Sequence, residues 1–201
     1  MVKRKAKPAS KPKTTKKRKS MPKDTLTGGT KDVNPQFYSG VAHMSAADTT
    51  TSTGFPLPVT RIPTANNVTI IEVLKVYCDL QDLGAIAEVT EISESVMAIF
   101  TTVNFGVTKA YFNEPNCWAF FRKNREAAFT AGGTYSDTSE EPLVLDLTDG
   151  AGHGILLATD QFFVQVSSTN TVALNSCFFK ILYRFKTVGI AEYVGIVQSQ
   201  Q

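Results

Sequence analysis

The sequence predicts an all-β fold, a sandwich or barrel, carried behind a separate basic leader. Three observations lead there. From Phe37 onward the apolar runs are short, β-type in composition and separated by turn residues. Seven or more such runs at this spacing are the pattern of a sandwich or barrel. And charge is segregated: residues 1–23 hold eleven Lys/Arg and no acid, whereas the other 178 residues hold 10 Lys/Arg against 18 Asp/Glu, a net of 10 − 18 = −8. With 201 residues, 42% of them hydrophobic, the chain can build one domain with a real core.

Taken in order, the leader comes first. Apart from Met1, only Val2 and Met21 carry large apolar side chains in residues 1–23. Such a segment cannot bury enough surface to offset its ordering entropy, so it is expected to be disordered in isolation. Pro8, Pro12 and Pro22 block a continuous helix. Fully extended, it reaches roughly 75 Å at ~3.3 Å per residue; as a coil it spans about 25–30 Å. Residues 24–36 are a polar, Gly-containing hinge. The division is therefore a basic arm with its hinge over 1–30 and a β domain over 31–201.

In the body the clearest strand is Asn67–Tyr77, with Val68, Ile70, Ile71, Val73, Leu74 and Val76. Others are Phe37–Met44, Val96–Val103, Pro142–Leu147, Ile155–Ala158, Phe162–Val166 and Cys177–Phe185. Leu83–Ile92 is expected to be helical. Pro115–Phe129 has partial i, i+3 apolar spacing that suggests a helix, although Phe120-Phe121-Arg122 suits a strand equally. The apolar tail Val188–Val197 is expected to complete the last strand or to pack at a subunit contact. No run approaches the ~20 apolar residues of a membrane helix, and no apolar segment follows the charged N-terminus as in a secretory signal. Cys78, Cys117 and Cys177 lack metal-site spacing and are expected to be buried thiols in a reducing compartment.

The residues argue against catalysis. Only two histidines occur. His43 lies in an apparent strand, where a packed or surface role outweighs a general base. His153 lies in Asp149-Gly-Ala-Gly-His-Gly154, which lacks the Lys-Ser/Thr of a P-loop and the acid of a dinucleotide fingerprint, so a tight turn with positive φ is expected. No Ser sits in G-x-S-x-G. The acidic groups Glu88/Glu91/Glu94, Glu140/Glu141 and Asp146/Asp149 have no EF-hand spacing. No catalytic residue, metal or cofactor is predicted, and the sequon Asn67-Val68-Thr69 is treated as chance.

The arm carries the functional signal. Its cations, Lys3, Arg4, Lys5, Lys7, Lys11, Lys13, Lys16, Lys17, Arg18, Lys19 and Lys23, are the predicted nucleic-acid-binding residues. The arm has no aromatic residue for stacking and no rigid element to enter a groove. Binding is expected to be phosphate-driven, sequence-indifferent and steeply salt-dependent. Lys16-Lys17-Arg18-Lys19 also suits nuclear import. Arg122-Lys123-Asn124-Arg125 beside Trp118, Phe120 and Phe121 is a second candidate contact, weighed against a plainer reading with the aromatics in the core.

Four stretches give the chain a family likeness: the basic arm; Leu26-Thr-Gly-Gly-Thr-Lys-Asp-Val-Asn-Pro-Gln36; Leu145-Asp-Leu-Thr-Asp-Gly-Ala-Gly-His-Gly-Ile-Leu-Leu-Ala-Thr-Asp160; and Leu182-Tyr-Arg-Phe-Lys-Thr-Val-Gly-Ile-Ala-Glu-Tyr-Val-Gly-Ile-Val-Gln-Ser-Gln200. With them the chain resembles the capsid proteins of small circular Rep-encoding single-stranded DNA viruses. That resemblance implies an eight-stranded jelly roll of two packed antiparallel sheets. It also implies self-assembly into the smallest icosahedral shell (T=1, sixty copies) with the arms on a single-stranded DNA genome. Location in the virion, and in the host nucleus during assembly with a nuclear import receptor as partner, follows from the same resemblance. The competing readings are a non-viral β-sandwich nucleic-acid-binding or chaperone module and a cupin-like enzyme. Histone carriers generally have acidic tails, the opposite polarity, and cupins need clustered histidines.

Overall fold

A computed structural model describes residues 35–59, 66–81, 83, 91–130, 133–140 and 143–200. It contains ten strands and a terminal helix: β1 (Gln36–His43), β2 (Thr50–Pro56), β3 (Asn67–Leu80), β4 (Glu91–Thr101), β5 (Cys117–Thr130), β6 (Gly133–Glu140), β7 (Val144–Asp146), β8 (Ile155–Leu157), β9 (Gln161–Thr169), β10 (Ser176–Gly189) and α1 (Ile190–Ser199). Local patterning explains the strands. In β10, Cys177, Phe179, Ile181 and Tyr183 are buried and alternate with Phe178, Lys180, Leu182 and Arg184 on the other face. In β9, the β-branched and aromatic run Phe162–Val166 is buried throughout, as expected of a strand covered on both faces.

The pairing is nested. β1 pairs β10, β2 pairs β9, β3 pairs β7 and β8, and β4 pairs β5, all antiparallel. Folding the chain back on itself in this way deals alternate strands to two sheets, β1-β10-β3-β7/β8 and β2-β9-β4-β5-β6. β7 and β8 share one edge of β3 and count as a single interrupted strand, while β6 extends β5 as a hairpin. The result is the eight-rank jelly roll of two Greek keys. The core lies between the sheets. Phe179 of the first sheet meets Phe55, Phe100 and Phe162 of the second at ring-centroid distances of 4.8, 5.4 and 5.8 Å. Edge-to-face geometry prevails at all three, the favoured arrangement of aromatic quadrupoles. Gly40 of β1 leaves room for the Phe179 ring, whose Cζ lies 2.5 Å from where a Cβ would be.

The outer faces differ in cover. Over the second sheet, the β4–β5 connection folds back so that Phe105 and Ala110, with Phe120 of β5, pack on Met97 and Ile99. Gln165, only 1% exposed, pins that connection. It accepts from the Ala110 N–H at 2.7 Å and donates to the Thr108 carbonyl at 2.8 Å. Over the first sheet, α1 lays Tyr193, Ile196 and Val197 on Val68, Ile70, Ala158 and Val188.

Three of the expected segments are decided, fall partly outside the described residues, or change. Of the two readings of Pro115–Phe129, the strand holds from Cys117 onward: β5 runs beside β4 with a register shift at Phe100/Thr101, which turns both Trp118 and Ala119 into the core. Cross-strand pairing overrode the short i, i+3 pattern. Residues 84–90 of the expected helix Leu83–Ile92 lie outside the described residues, and Glu91 and Ile92 open β4. The tail beyond Gly189 is helical rather than a strand extension. β10 already ends against Asn67 at the start of β3, and the residues that follow place Tyr193, Ile196 and Val197 at i, i+3, i+4. β2, of sequence TTSTGFP, has no sequence signal beyond Thr enrichment and was masked by its turn-forming Gly54 and Pro56.

Candidate nucleic-acid interface

The arm residues Lys3, Arg4, Lys5, Lys7, Lys11, Lys13, Lys16, Lys17, Arg18, Lys19 and Lys23 lie outside the described residues. What the structure fixes is where the leader joins the body. It enters β1 at Gln36, on the edge strand of the first sheet, directly before Phe37.

That entry point opens onto the half of the sheet's outer face that α1 does not cover. Strand alternation puts Phe37 of β1, Phe178 and Lys180 of β10, and Tyr77 of β3 on this side. Phe37 is 53% exposed and Phe178 47%. The Phe37 and Tyr77 rings lean together across the intervening β10, 6.3 Å between centroids, and the Lys180 ammonium stands 4.0 Å from the Phe37 ring centre. Beside them Tyr77, Asp79, Leu143, Val144, Phe178 and Lys180 line an open, mainly apolar groove of about 550 Å³. At its border Lys75 pairs with Asp146 at 2.7 Å. Lys75, with Thr148 as a further donor, holds the Asp146 carboxyl well below the usual carboxylate range, and Asp146 in turn raises the Lys75 ammonium. Sequence reasoning missed this set. The available signal was Phe178 and Lys180 at outward positions between the buried Cys177, Phe179 and Ile181.

The Gly-rich loop is a structural clamp. Asp149 and His153 close it by backbone hydrogen bonds, with Gly152 at φ +82°, the turn expected from its glycines. Glu72, fully buried on β3, accepts from the Gly154 N–H at 3.0 Å and from Arg184 Nε at 2.5 Å. Lys186 is 3.8 Å away. Burial pushes the Glu72 carboxyl up, but Arg184, the Gly154 N–H and Lys186 outweigh it and hold it below the ordinary value. Gly154 is obligatory because a Cβ there would lie 2.0 Å from the Val73 carbonyl oxygen.

The second candidate contact is dispersed. Trp118 and Phe121 are core residues, and Phe120 turns to the opposite face against Phe112. Lys123 is buried, and Arg125 is joined to the buried Glu94 directly across the strand pair, Nε to Oε2 at 2.7 Å. Only Arg122 of the four is exposed. His43 lies on β1 with Nδ1 2.8 Å from the Ser176 hydroxyl. Cys78 and Cys177 are buried and Cys117 half-buried. Burial raises the Cys117 thiol, partly offset by its bond to the Ala119 carbonyl, with Glu114 adding to the rise. Among the described residues no three His, Cys, Asp or Glu form a metal-holding group, and no helix is long and apolar enough to cross a membrane.

No protein-family model and no curated protein matches the chain. Among solved structures, it is similar to VP1 of the Trichodysplasia spinulosa-associated polyomavirus, at 12% identity and TM-score 0.41, over 80% of this chain and 97% of that one. It is similar also to the unassembled VP1 pentamer of Merkel cell polyomavirus (10% identity, TM-score 0.36, 70% of this chain and 78% of that one). VP1 of New Jersey polyomavirus stands at 11% identity and TM-score 0.38, over 76% of this chain and 90% of that one. At these values the likeness assigns neither family nor role.

Proposed function

We propose that this chain is a structural capsid protein that self-assembles into a small icosahedral shell and packages single-stranded DNA through residues 1–23 without reading its sequence. The observation that carries the reading is the joining of two parts in one chain: an acid-free leader of eleven cations and a nested jelly roll that the leader enters at an edge strand. Phosphate neutralisation by such a leader releases condensed counterions and needs no base contacts. A body of net charge −8 resists association until its arms are neutralised, which couples assembly to cargo. Closed assembly also covers sheet edges that would otherwise promote open-ended aggregation. Sixty copies would present 660 arm charges to the genome. The Lys16–Lys19 run supports passage through a nuclear import receptor to a host nucleus before residence in the virion.

Electron microscopy and size-exclusion chromatography of the expressed protein test this reading. Sixty copies of 21.9 kDa come to about 1.3 MDa, so closed particles in that range are expected. Deleting residues 1–23 should lower co-purifying nucleic acid far more than it lowers folding. A monomer or small oligomer that ignores DNA and RNA at low salt would favour a β-sandwich binding module or an enzyme instead.

A further inference from the structure

We infer that the bare half of the first sheet's outer face is a stacking platform for single-stranded nucleic acid, formed by Phe37, Tyr77 and Phe178 with Lys180 as its phosphate partner. The inference rests on the packaging role proposed above and adds a contact made by the folded body.

Three features converge on this face. Elsewhere the described chain covers part of its own sheet surface: the β4–β5 connection packs over Met97 and Ile99 of the second sheet, and α1 covers the far half of the first. Among the described residues this half keeps an open surface, with Phe37 and Phe178 about half exposed at positions where strand alternation places solvent-facing side chains. Next, the set has the composition of a single-strand binder. Aromatic rings supply faces for unpaired bases of any identity, and Lys180 lies within the same cluster, 4.0 Å from the Phe37 ring centre. The groove beside it opens to solvent and is mainly apolar, suited to a flat ring; Asp79 on its wall repels phosphate and directs the backbone toward Lys180. Finally, the 34 residues preceding the described chain enter at Gln36, one residue from Phe37. A strand held by the arm's cations is thereby delivered to the platform at high effective concentration. The arm has no aromatic residue and the platform has few cations, so the two parts supply complementary halves of one binding mode.

The test uses the full-length chain with an oligothymidylate and a duplex of equal phosphate count, at low and at high salt. The paired substitution Phe37→Ser and Phe178→Ser alters two exposed rings and is expected to leave thermal stability nearly unchanged. It should weaken oligothymidylate binding by about tenfold or more, while duplex binding, an arm property, stays the same. An oligonucleotide carrying 5-iodouracil should photocrosslink, in the unsubstituted protein, to the peptides bearing Phe37, Tyr77 or Phe178. Equal losses on both probes, or no loss on oligothymidylate, overturn the platform and leave the arm standing. Loss of self-association with oligothymidylate binding intact also overturns it and assigns the face to a second copy. Unsubstituted protein that binds neither probe overturns both readings.

Discussion

Glu72 shows how one side chain can hold a loop and respond to pH. Its carboxylate is fully buried between the Gly154 N–H and Arg184, and Arg184 Nη2 also donates to the Gly152 carbonyl at 3.3 Å. Because these partners depress its pKa, the stabilisation they give is fully present above the unfolded carboxyl value and is lost as pH falls through the lower folded value. Glu72→Gln should therefore cost roughly 2–3 kcal/mol at neutral pH, since it leaves a half-buried guanidinium without its counter-charge. Urea denaturation across pH should show that gap starting to narrow as pH falls below the ordinary carboxyl value and closing as it passes through the lower folded value. A gap that widened on acidification would mean Glu72 is not ionised in the fold. Gly154→Ala addresses the same clamp sterically. The added carbon would collide with backbone rather than with a side chain able to move, so a loss of about 1–3 kcal/mol is expected by thermal denaturation.

At the scale of elements, α1 is held to the body without a fully buried residue of its own. Its attachment depends on Gln200 just beyond its end. The Gln200 side chain donates to the Leu156 carbonyl and accepts from the Ala158 N–H at 2.9 Å, so the amide stands in for a strand partner along β8. The Gln200 carbonyl accepts from Thr102 Oγ1 at 2.9 Å. Gln200→Ala should cost about 1–2 kcal/mol in local stability, read as faster amide exchange confined to α1 and β8 with the β9 core protected as before. The elements also separate what the sequence made legible from what it did not. β1, β3, β9 and β10 were readable because their alternation or continuous burial is strong over several residues. β2 was not, because its Thr-rich run gains its strand geometry from pairing with β9 rather than from its own hydrophobicity. β5 was ambiguous because its bulge brings Trp118 and Ala119 to one side, which breaks period 2 and mimics a helical spacing. α1 was legible in principle from Tyr193, Ile196 and Val197, but Gly195 within it and the strand-like Val/Ile content obscured the period. The outward-facing Phe37, Tyr77 and Phe178 were invisible as a set, since only the β1–β10–β3 register brings together residues distant in sequence.

Across the whole molecule, charge is the quantity that ties leader to body, and it sets a measurable slope. For a single strand, the logarithm of the observed binding constant falls with the logarithm of salt concentration by about 0.7 per phosphate neutralised. If all eleven leader cations engage, the slope approaches about −8. Replacing Lys16, Lys17, Arg18 and Lys19 by alanine removes four of the eleven and should reduce the slope's magnitude by about 3. The stacking contribution of the platform is far less salt-sensitive, so the same variant should retain its preference for oligothymidylate over duplex. Conversely, Phe37→Ser with Phe178→Ser should lower affinity at every salt concentration while leaving the slope unchanged. Fluorescence anisotropy titrations over a salt series separate the two effects. If the four-alanine variant kept the original slope, these cations would not be contacting phosphate, and the leader would have to act through address or solubility instead.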